Sequence, residues 1–361
     1  MKRAFKRMAV GFGIATGLVI LAAAVFFGIL TIAEYRPAEI EKPEIQSHAG
    51  SVFTCPSVGV PFSMLIWNIG YASLDESQDF FMDGGKGVRP ASDENVRRNL
   101  AGIRETITGA DCEVVLIQEA DIASKRSYFF DQRAYLTEHF SGSSVFAHNF
   151  RCILVPVPFP EFIGRVSSGL LTLNRFQTVE ALRLSLPNPF SWPERIANLK
   201  RCLLVSRVPL EDSDAELVIV NLHLEAYDAS GGREAQTKVL VDFLYREYEK
   251  GNYCIAGGDF NQNFPDIDPQ RFAVKNRGYF VPGTLSPSLL AEGWRYAADT
   301  QTPTSRLNNE PYCGDNEKTQ LYVIDGFILS PNVELLEVET FNLEFKHSDH
   351  NPVKIRAALK E

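Results

Sequence analysis

The apolar positions of this chain form one long block followed by many short runs. The block is an uncharged stretch of 25 residues, Ala9 to Ala33, rich in Ala, Val, Ile, Leu, Phe and Gly. At a helical rise of about 1.5 Å per residue, it can cross a hydrocarbon core of roughly 30 Å. A cleaved signal peptide, whose apolar region is normally about 7–15 residues, and a buried core helix are the alternatives. A transmembrane helix over residues 9–33 is favoured, because the apolar run continues beyond the small residues 22–24 that mimic a cleavage site.

The charges that flank this block predict its orientation. Only Arg36 follows it closely, whereas four basic residues precede it: Lys2, Arg3, Lys6 and Arg7. Basic residues are retained on the cytoplasmic side, so residues 1–8 are expected in the cytoplasm and the remainder outside it, at the cell membrane. Residues 34–61 contain four prolines and no regular apolar period, which predicts a linker with a random-coil reach on the order of 30 Å.

Short apolar runs alternate with amphipathic stretches from residue 62 to residue 361, which is expected to form a folded domain. Helical spacing of apolar residues predicts helices at 93–108 and 232–249. Strands are predicted at 62–68, 113–118, 144–155, 167–174, 201–208, 216–223, 252–257, 322–329, 334–341 and about 352–358. About ten strands exceed what one two-layer sheet usually holds. The expected fold is therefore α/β, a four-layered sandwich of two mixed β-sheets packed face to face with helices outside.

Polar side chains recur at the ends of these apolar runs. Five runs lead into Asn68, Gln118-Glu119, Asn221-Leu222-His223, Gly257-Gly258-Asp259-Phe260-Asn261 and Asp325, and Ser348-Asp349-His350 precedes the last strand. Open sheets concentrate ligand groups at one edge of their strands, so the pattern predicts a shared site. Because residues i and i+2 of an extended chain face the same way, Asp259 and Asn261 are placed to address one reacting group. The two glycines before them permit close approach of backbone or ligand.

The net charge and the cysteine content restrict the kinds of ligand-binding site that the chain can form. The formal charge is −9, and because the four N-terminal basic residues contribute +4, residues 34–361 carry −13. An acidic domain disfavours general electrostatic binding of nucleic acid. The six cysteines include no CxxC pair, which argues against a thiolate metal site. Cys152, Cys202 and Cys254 lie in apolar runs and are expected to be buried, although disulfides stay open for an exported domain.

The polar residues at the strand ends suit one chemistry. Asn68, Glu119 and Asp349 carry hard oxygen ligands of the kind that bind Mg²⁺, with Mn²⁺ as the alternative ion. Cleavage of a phosphate ester also needs groups that prepare an attacking water and neutralise charge on the phosphate oxygens. The imidazoles of His223 and His350 and the carboxylates of Asp259 and Asp325 are candidates for those tasks.

Taken in order and spacing, these motifs resemble the endonuclease/exonuclease/phosphatase superfamily, which has the deoxyribonuclease I-like fold. The resemblance covers about residues 62–358 and includes the segment Ser168-Gly169-Leu170-Leu171-Thr172-Leu173. It implies that Glu119 binds the catalytic metal ion, with Asn68 and Asp349 nearby. One departure is Gly326, since the family usually has an aromatic residue or histidine after the aspartate at position 325.

The resemblance also implies roles for the remaining site residues. Asp259 would orient or deprotonate the attacking water, and Asn261 would hold that water or a phosphate oxygen. His223 would contact the scissile phosphate. His350, oriented by Asp325, would stabilise the transition state or exchange a proton. Whether Asp259 or His350 is the general base stays open.

The function expected from these observations is hydrolysis of a phosphodiester or phosphomonoester by a membrane-anchored, Mg²⁺-dependent enzyme. The membrane anchor and the acidic domain favour a phospholipid or another small phosphoester as substrate. A nuclease acting on DNA or RNA outside the cytoplasm is the alternative, and a catalytically silent binding module with the same fold is an alternative of another class. No protein partner is predicted.

Two further features have alternative interpretations. The proline-punctuated segment 152–160 is expected to be a strand and a rigid loop, or else an apolar lip that enters lipid or grips an acyl chain. Arg183, Arg201 and Arg306 are expected to be structural or surface residues, with phosphate binding as the alternative.

Overall fold

Strands and helices alternate along most of the chain. The computed structural model describes residues 2–48, 50–211, 213–227 and 231–361. The helices in these ranges are α1 (Lys2–Ile32), α2 (Asp93–Ala110), α3 (Gln132–Thr137) and α4 (Gly232–Glu249). The strands are β1 (Ile40–Glu41), β2 (Ile45–Ser47), β3 (Phe62–Asn68), β4 (Val114–Asp121), β5 (Ser143–Val155), β6 (Gly164–Asn174), β7 (Glu180–Ser185), β8 (Cys202–Leu210), β9 (Ser213–His223), β10 (Tyr253–Asp259), β11 (Gln262–Asn263), β12 (Gly283–Thr284), β13 (Arg295–Ala297), β14 (Ser305–Arg306), β15 (Leu321–Tyr322), β16 (Asp325–Leu329), β17 (Val333–Thr340) and β18 (Val353–Leu359).

Two mixed seven-stranded sheets form the centre of the described structure. Sheet I has the order β1-β7-β8-β9-β10-β16-β13, and sheet II has the order β17-β18-β3-β4-β6-β5-β2. Each sheet contains one parallel pair among antiparallel neighbours, β9 with β10 in sheet I and β3 with β4 in sheet II. The remaining short strands pair as β11 with β12 and β14 with β15.

Alternation of apolar residues along the strands builds the layers. On β3, Met64 and Ile66 point into the core between the two sheets, whereas Leu65 and Trp67 pack on the other side, against α2. Helix α4 covers the outer face of sheet I through Leu240 and its neighbours. Because the central strands are buried on both faces, they read in sequence as continuous apolar runs. The predicted four-layered sandwich is confirmed.

Residues 34–61, predicted as a free linker, are instead attached to both sheets. Strand β1 pairs with β7 at the edge of sheet I, and β2 pairs with β5 at the edge of sheet II. Thr54 forms a further bridge to Phe176. Strands this short have no apolar pattern of their own, and they form because the sheet edges offer unpaired backbone groups. The segment therefore extends the domain.

Helix α1 extends from the N-terminal side of the domain. Its segment Phe5–Ile32 is long and apolar enough to cross a membrane, and almost all of its residues are exposed. The cysteines are all free, and Cys152, Cys202 and Cys254 are buried as expected. After β5 the chain forms a loop that projects from the surface of the domain, and Phe159 in this loop is 86% exposed.

Candidate active site

The ends of the central strands meet at one edge of the sandwich. Asn68 is the last residue of β3, Glu119 lies near the end of β4, and His223 and Asp259 end β9 and β10. Strand β16 runs antiparallel to β10 and so begins at the same edge, where Asp325 is the register partner of Asp259. The two parallel pairs thereby bring residues from distant parts of the sequence together.

The carboxylate of Asp259 is the centre of this cluster. Its Oδ2 accepts a hydrogen bond from Asn68 Nδ2 at 3.1 Å and lies 3.5 Å from His223 Nε2 and 3.9 Å from His350 Nε2. Its Oδ1 accepts from the backbone N–H of Asn261 at 2.8 Å. One buried carboxylate therefore contacts four of the predicted site residues.

Asp325 and His350 form an ion pair beside Asp259. Asp325 Oδ2 lies 2.8 Å from His350 Nδ1, and His350 Nε2 lies 3.3 Å from Ser305 Oγ. Burial alone would lower the pKa of His350, but the Asp325 carboxylate outweighs it and raises the pKa to about 10. Burial, followed by the negative charge of Asp325, raises the pKa of Asp259 to about 7. His350 is thus held as an imidazolium while Asp259 titrates near neutrality, the kind of contrast found in acid–base sites.

His223 has the opposite electrostatic environment. Burial, together with the positive charges of Arg201 and His350, lowers the pKa of His223 well below its ordinary value. The ring is therefore neutral near pH 7, and its Nδ1 has no hydrogen-bond partner among the described residues. A neutral imidazole with a free ring nitrogen is available to a ligand.

A β-bulge positions Glu119. The register between β4 and β6 shifts between Ile117 and Ala120, and Glu119 adopts a left-handed backbone conformation with φ of 57°. Its side chain is 26% exposed, and its Oε1 lies 3.9 Å from His223 Nδ1. Burial raises the pKa of Glu119, and the charge of Asp349 adds to the effect. Bulges of this kind redirect a side chain next to a site.

Asp349 lies on the neighbouring wall. Its Oδ2 accepts a hydrogen bond from Asn308 Nδ2 at 2.5 Å, and its Oδ1 accepts one from Ser348 Oγ at 3.3 Å. Gly70, with φ of 48°, follows β3 here, and a Cβ atom at this position would lie 2.7 Å from Asp349 Oδ1. The absence of a side chain at Gly70 therefore allows Asp349 to approach the end of β3.

Asn261 occupies a strained turn directly after β10. Its φ is 52°, and its side-chain Nδ2 donates to the carbonyl oxygen of Leu224 at 2.9 Å. The side chain is buried next to Asp259. The structure therefore places Asn261 at the site, with one amide hydrogen already bound to the chain that leaves β9.

Two motif residues that neighbour the site join the sheets. Gln118 Nε2 donates to Asn221 Oδ1 at 2.7 Å, and Asn221 Nδ2 donates to the carbonyl oxygens of Ile117 and Leu171 at 3.2 and 3.1 Å. These buried amides connect sheet II to sheet I directly beneath the site. Their hydrogen bonds fix how the two strand edges meet.

Sequence reasoning missed part of the acidic wall. Asp83, in a short 3₁₀ turn, accepts from the backbone N–H of Asn308 and from the Tyr227 hydroxyl, both at 3.4 Å. Burial, together with the charge of Asp349, raises the pKa of Asp83 to about 6. These residues lie in loops away from the apolar runs, so no local pattern marked them.

The three arginines weighed as phosphate ligands are buried and already paired. Arg183 and Arg306 donate mainly to backbone carbonyl oxygens. Arg201 Nε donates to Glu225 at 3.2 Å, and its Nη1 donates to the His223 carbonyl oxygen at 3.0 Å. The expectation that these three arginines are structural residues therefore fits their contacts better than a role in phosphate binding.

The donor set fits a divalent cation. Ligand atoms of Asp259, Asp325 and His350 all lie within 4.8 Å of one another, but an imidazolium has no lone pair for a metal ion, so His350 in that state is a charged neighbour of the cation and only the carboxylates are ligands. Asp325 Oδ1 is buried without a hydrogen-bond partner among the described residues. Glu119 and Asp349 add carboxylates on the adjoining wall, close enough for the charge of one to raise the pKa of the other. Hard oxygen donors in this number are characteristic of Mg²⁺ or Mn²⁺ sites.

Comparison with solved structures shows the same fold. An endonuclease/exonuclease/phosphatase from Beutenbergia cavernae DSM 12333 matches with a TM-score of 0.54 and 16% identity, covering 83% of this chain and 72% of that one. A functionally unknown conserved protein from Enterococcus faecalis V583 matches at 0.52 and 15%, covering 82% and 100%. ANGEL2, a 2′,3′-cyclic phosphatase solved with adenosine-2′,3′-vanadate, matches at 0.53 and 13%, covering 89% and 99%.

Sequence comparison places the chain in a family. No curated protein matches it in sequence. The sequence model of the Endonuclease/Exonuclease/phosphatase family matches residues 65–350, a range that begins within β3 and ends at His350. This range contains every residue of the candidate site described above. The chain therefore belongs to the Endonuclease/Exonuclease/phosphatase family.

Proposed function

We propose that this protein is a membrane-anchored, Mg²⁺-dependent phosphoesterase that hydrolyses a phospholipid or another small phosphoester outside the cytoplasm. The observation that carries the proposal is the meeting of the strand-end residues around Asp259. Membership of the family supports the reaction class. Helix α1 supports the anchor, and the basic residues before it support the orientation.

The proposed reaction is in-line attack of water on phosphorus. Asn68, Glu119 and Asp349 would hold the cation, which supplies positive charge to the phosphate oxygens. Asp259, within reach of both histidines, orients the water and accepts its proton. Neutral His223 contacts a phosphate oxygen. The imidazolium of His350, fixed by Asp325, stabilises negative charge on the phosphate as the bond to the leaving oxygen breaks. Asn261 holds the water or a phosphate oxygen.

The charge of the site wall supports a small substrate. Asp83 lies next to Asp349 through Asn308, so the wall beside the scissile phosphate is acidic. A second phosphate of a polyanion would be repelled there, whereas hydroxyl or ammonium groups would find acceptors. The net charge of −13 on residues 34–361 also repels a polyanionic substrate, over longer distances.

Metal dependence tests the proposed reaction directly. The full chain in detergent micelles is expected to lose hydrolysis in EDTA and to regain it with Mg²⁺. The Glu119→Gln substitution removes a ligand charge without changing size, so kcat should fall about 100-fold or more. The Kd for Mg²⁺, measured by isothermal titration, should rise about tenfold or more.

The exposed Glu138, at the end of α3, provides the matched control. Glu138→Gln makes the same chemical change away from the site and should leave kcat and Mg²⁺ binding unchanged. Hydrolysis that survives both EDTA and Glu119→Gln would refute the proposal, and a folded wild-type protein without Mg²⁺ binding would favour the silent binding module.

A panel of phosphoesters tests the substrate class. Phospholipids in mixed micelles, small phosphodiesters and monoesters, and plasmid DNA are compared at equal Mg²⁺ concentration. We expect kcat/KM for a lipid or small ester to exceed that for DNA by at least about tenfold. Preferential cleavage of DNA, with binding that weakens steeply as salt is added, would instead assign the protein as a nuclease.

A further inference from the structure

A basic cavity lies where α1 joins the domain. Its volume is about 390 Å³, within the range of small-molecule sites. Four cationic residues line it: Arg36, Arg195, Lys200 and Arg201. Glu34 is the one carboxylate among the described residues that line it. The cavity is separate from the cation site, although Arg201 also contacts the backbone of His223.

The charges in this cavity do not balance. Glu34 Oε1 lies 2.9 Å from Arg195 Nε and 3.4 Å from Lys200 Nζ, and its Oε2 lies 3.0 Å from Arg36 Nη2. Arg201 is matched separately by Glu225. Three cations thus share one carboxylate, which leaves a surplus of two positive charges. The Lys200 side chain is only 11% exposed and also donates to the Arg195 carbonyl oxygen, and burial lowers its pKa. Arg36 and Arg195 are more exposed, so water reaches their part of the surplus charge.

The cavity lies at the expected level of lipid headgroups. Glu34 directly follows the uncharged block that ends at Ala33. Beside it, Trp192 Nε1 donates to Thr31 Oγ1 at 3.1 Å, and the Trp192 ring packs against Phe27 of α1 with centroids 5.9 Å apart. Trp192 is still 54% exposed. Tryptophan in such a position is typical of the membrane interface, where a ring can face acyl chains and an N–H can face polar groups.

A second apolar projection is linked to the same region. Cys152 Sγ, near the end of β5, lies 3.6 Å from the carbonyl oxygen of Ile196, four residues after Trp192. The chain continues from β5 into the loop with Phe159, the apolar lip considered from sequence, where Val157 is also about half exposed. Exposed apolar residues near a basic cavity and an apolar helix match a surface that contacts lipid.

We propose that this cavity binds the phosphate group of an anionic phospholipid from the outer leaflet. Arginine and lysine side chains around a partly enclosed space suit a phosphate. Arg36 and Arg195 both direct Nε and Nη2 at Glu34, so a phosphate would be met by their Nη1 groups or would compete with the Glu34 carboxylate. The bound headgroup neutralises the surplus charge and holds the domain at a defined orientation on the membrane. This inference rests on the anchoring part of the proposed function and is independent of which ester is hydrolysed.

Lipid retention by the full chain tests the cavity. Protein carrying His350→Ala, so that turnover does not consume lipid, is purified in detergent doped with phosphatidylglycerol or phosphatidylcholine, and retained lipid is counted by native mass spectrometry. Phosphatidylglycerol should be retained at least about fivefold more. Adding Arg36→Gln and Lys200→Gln should abolish this preference, whereas adding Glu34→Gln, which removes the competing carboxylate, should strengthen it.

The control replaces two exposed cations elsewhere on the domain, Lys238→Gln with Arg97→Gln, and should retain lipid like its parent. Circular dichroism is used to check that each variant is folded. If the double variant unfolds, Glu34→Gln still tests the proposal, because this variant is expected to strengthen the preference for phosphatidylglycerol. Equal retention of both lipids, or displacement of phosphatidylglycerol by equimolar inorganic phosphate, would overturn the lipid assignment. Hydrolysis by the wild type is measured separately, so its absence would affect the proposed function alone.

Discussion

Asp259 connects the electrostatics of the candidate site to its chemistry. It contacts Asn68 and both histidines through one oxygen and the backbone of Asn261 through the other. Burial and the neighbouring Asp325 raise its pKa, so the proposed base gains proton affinity without leaving the titration range of a neutral solution. The same Asp325 keeps His350 protonated. The Asp325 carboxylate thus raises the pKa of both neighbours. Because the pKa of His350 is the higher of the two, His350 keeps its proton near neutral pH while Asp259 can lose its own.

The pH dependence of hydrolysis follows from these shifts. The pKa of Asp259 is about 7 and that of His350 about 10, so raising the pH from 6 to 8 ionises Asp259 while His350 keeps its proton. If Asp259 accepts the proton of water, kcat/KM should rise over this range at a fixed concentration of Mg²⁺, because kcat/KM reports the ionisations of the free enzyme. Asp325→Asn removes the carboxylate that keeps His350 protonated, so the variant should lose activity on the alkaline side at a lower pH than the wild type. A kcat/KM independent of pH between 6 and 8 would exclude Asp259 as the base.

Glycines at the end of β10 are required by the packing of strands. A Cβ atom at Gly257 would lie 2.5 Å from the Phe327 ring and 2.9 Å from Ile66 Cγ2, and one at Gly258 would lie 2.0 Å from the Leu222 carbonyl oxygen. The sequence left open whether backbone or ligand approaches these positions. The structure shows that neighbouring strands and the opposite sheet fill the space.

A glycine substitution tests this account of β10. Gly257→Ala should lower the free energy of unfolding by about 1–3 kcal/mol, because the added methyl group displaces Phe327 and Ile66 from a close-packed core. Gly109→Ala in α2 is the control, since a methyl group there would meet no neighbouring element of the described chain within 4 Å and alanine favours a helix by about 0.5–1 kcal/mol. Urea denaturation measures both. Equal stability of wild type and Gly257→Ala would contradict the packing argument.

At the scale of the whole molecule, the segment after α1 connects this helix to both sheets of the domain. Residues 34–61 add β1 to sheet I and β2 to sheet II, and Glu34 pairs with Arg195 and Lys200. A domain held this closely has a restricted orientation relative to α1, unlike a domain on a flexible linker.

Two truncations test the structural contribution of this segment. A chain beginning at residue 34 keeps both edge strands, whereas a chain beginning at residue 62 loses them and exposes the edges formed by β7 and β5. The shorter chain should have a Tm lower by about 4 °C or more, corresponding to roughly 1–2 kcal/mol for a domain of this size. Differential scanning calorimetry measures the difference. Identical Tm values would show that residues 34–61 contribute nothing to stability.

The sequence by itself determined the apolar block of α1, the long strands and helices, the layered sandwich and the identity of the residues at the strand ends. These features depend on local periodicity and on residue chemistry, both of which are readable along the chain. Central strands such as β3 and β10 were predicted within two residues of their observed bounds, because strands buried on both faces are strongly apolar.

Only the tertiary structure decided how those residues meet. The bulge at Glu119 depends on pairing with β6, and the edge strands of residues 34–61 depend on sheets built from later parts of the chain. Asp83 and Asn308 join the wall of the site through contacts between loops more than two hundred residues apart. Such contacts leave no periodic trace in the sequence, since they arise from backbone pairing and packing between distant segments.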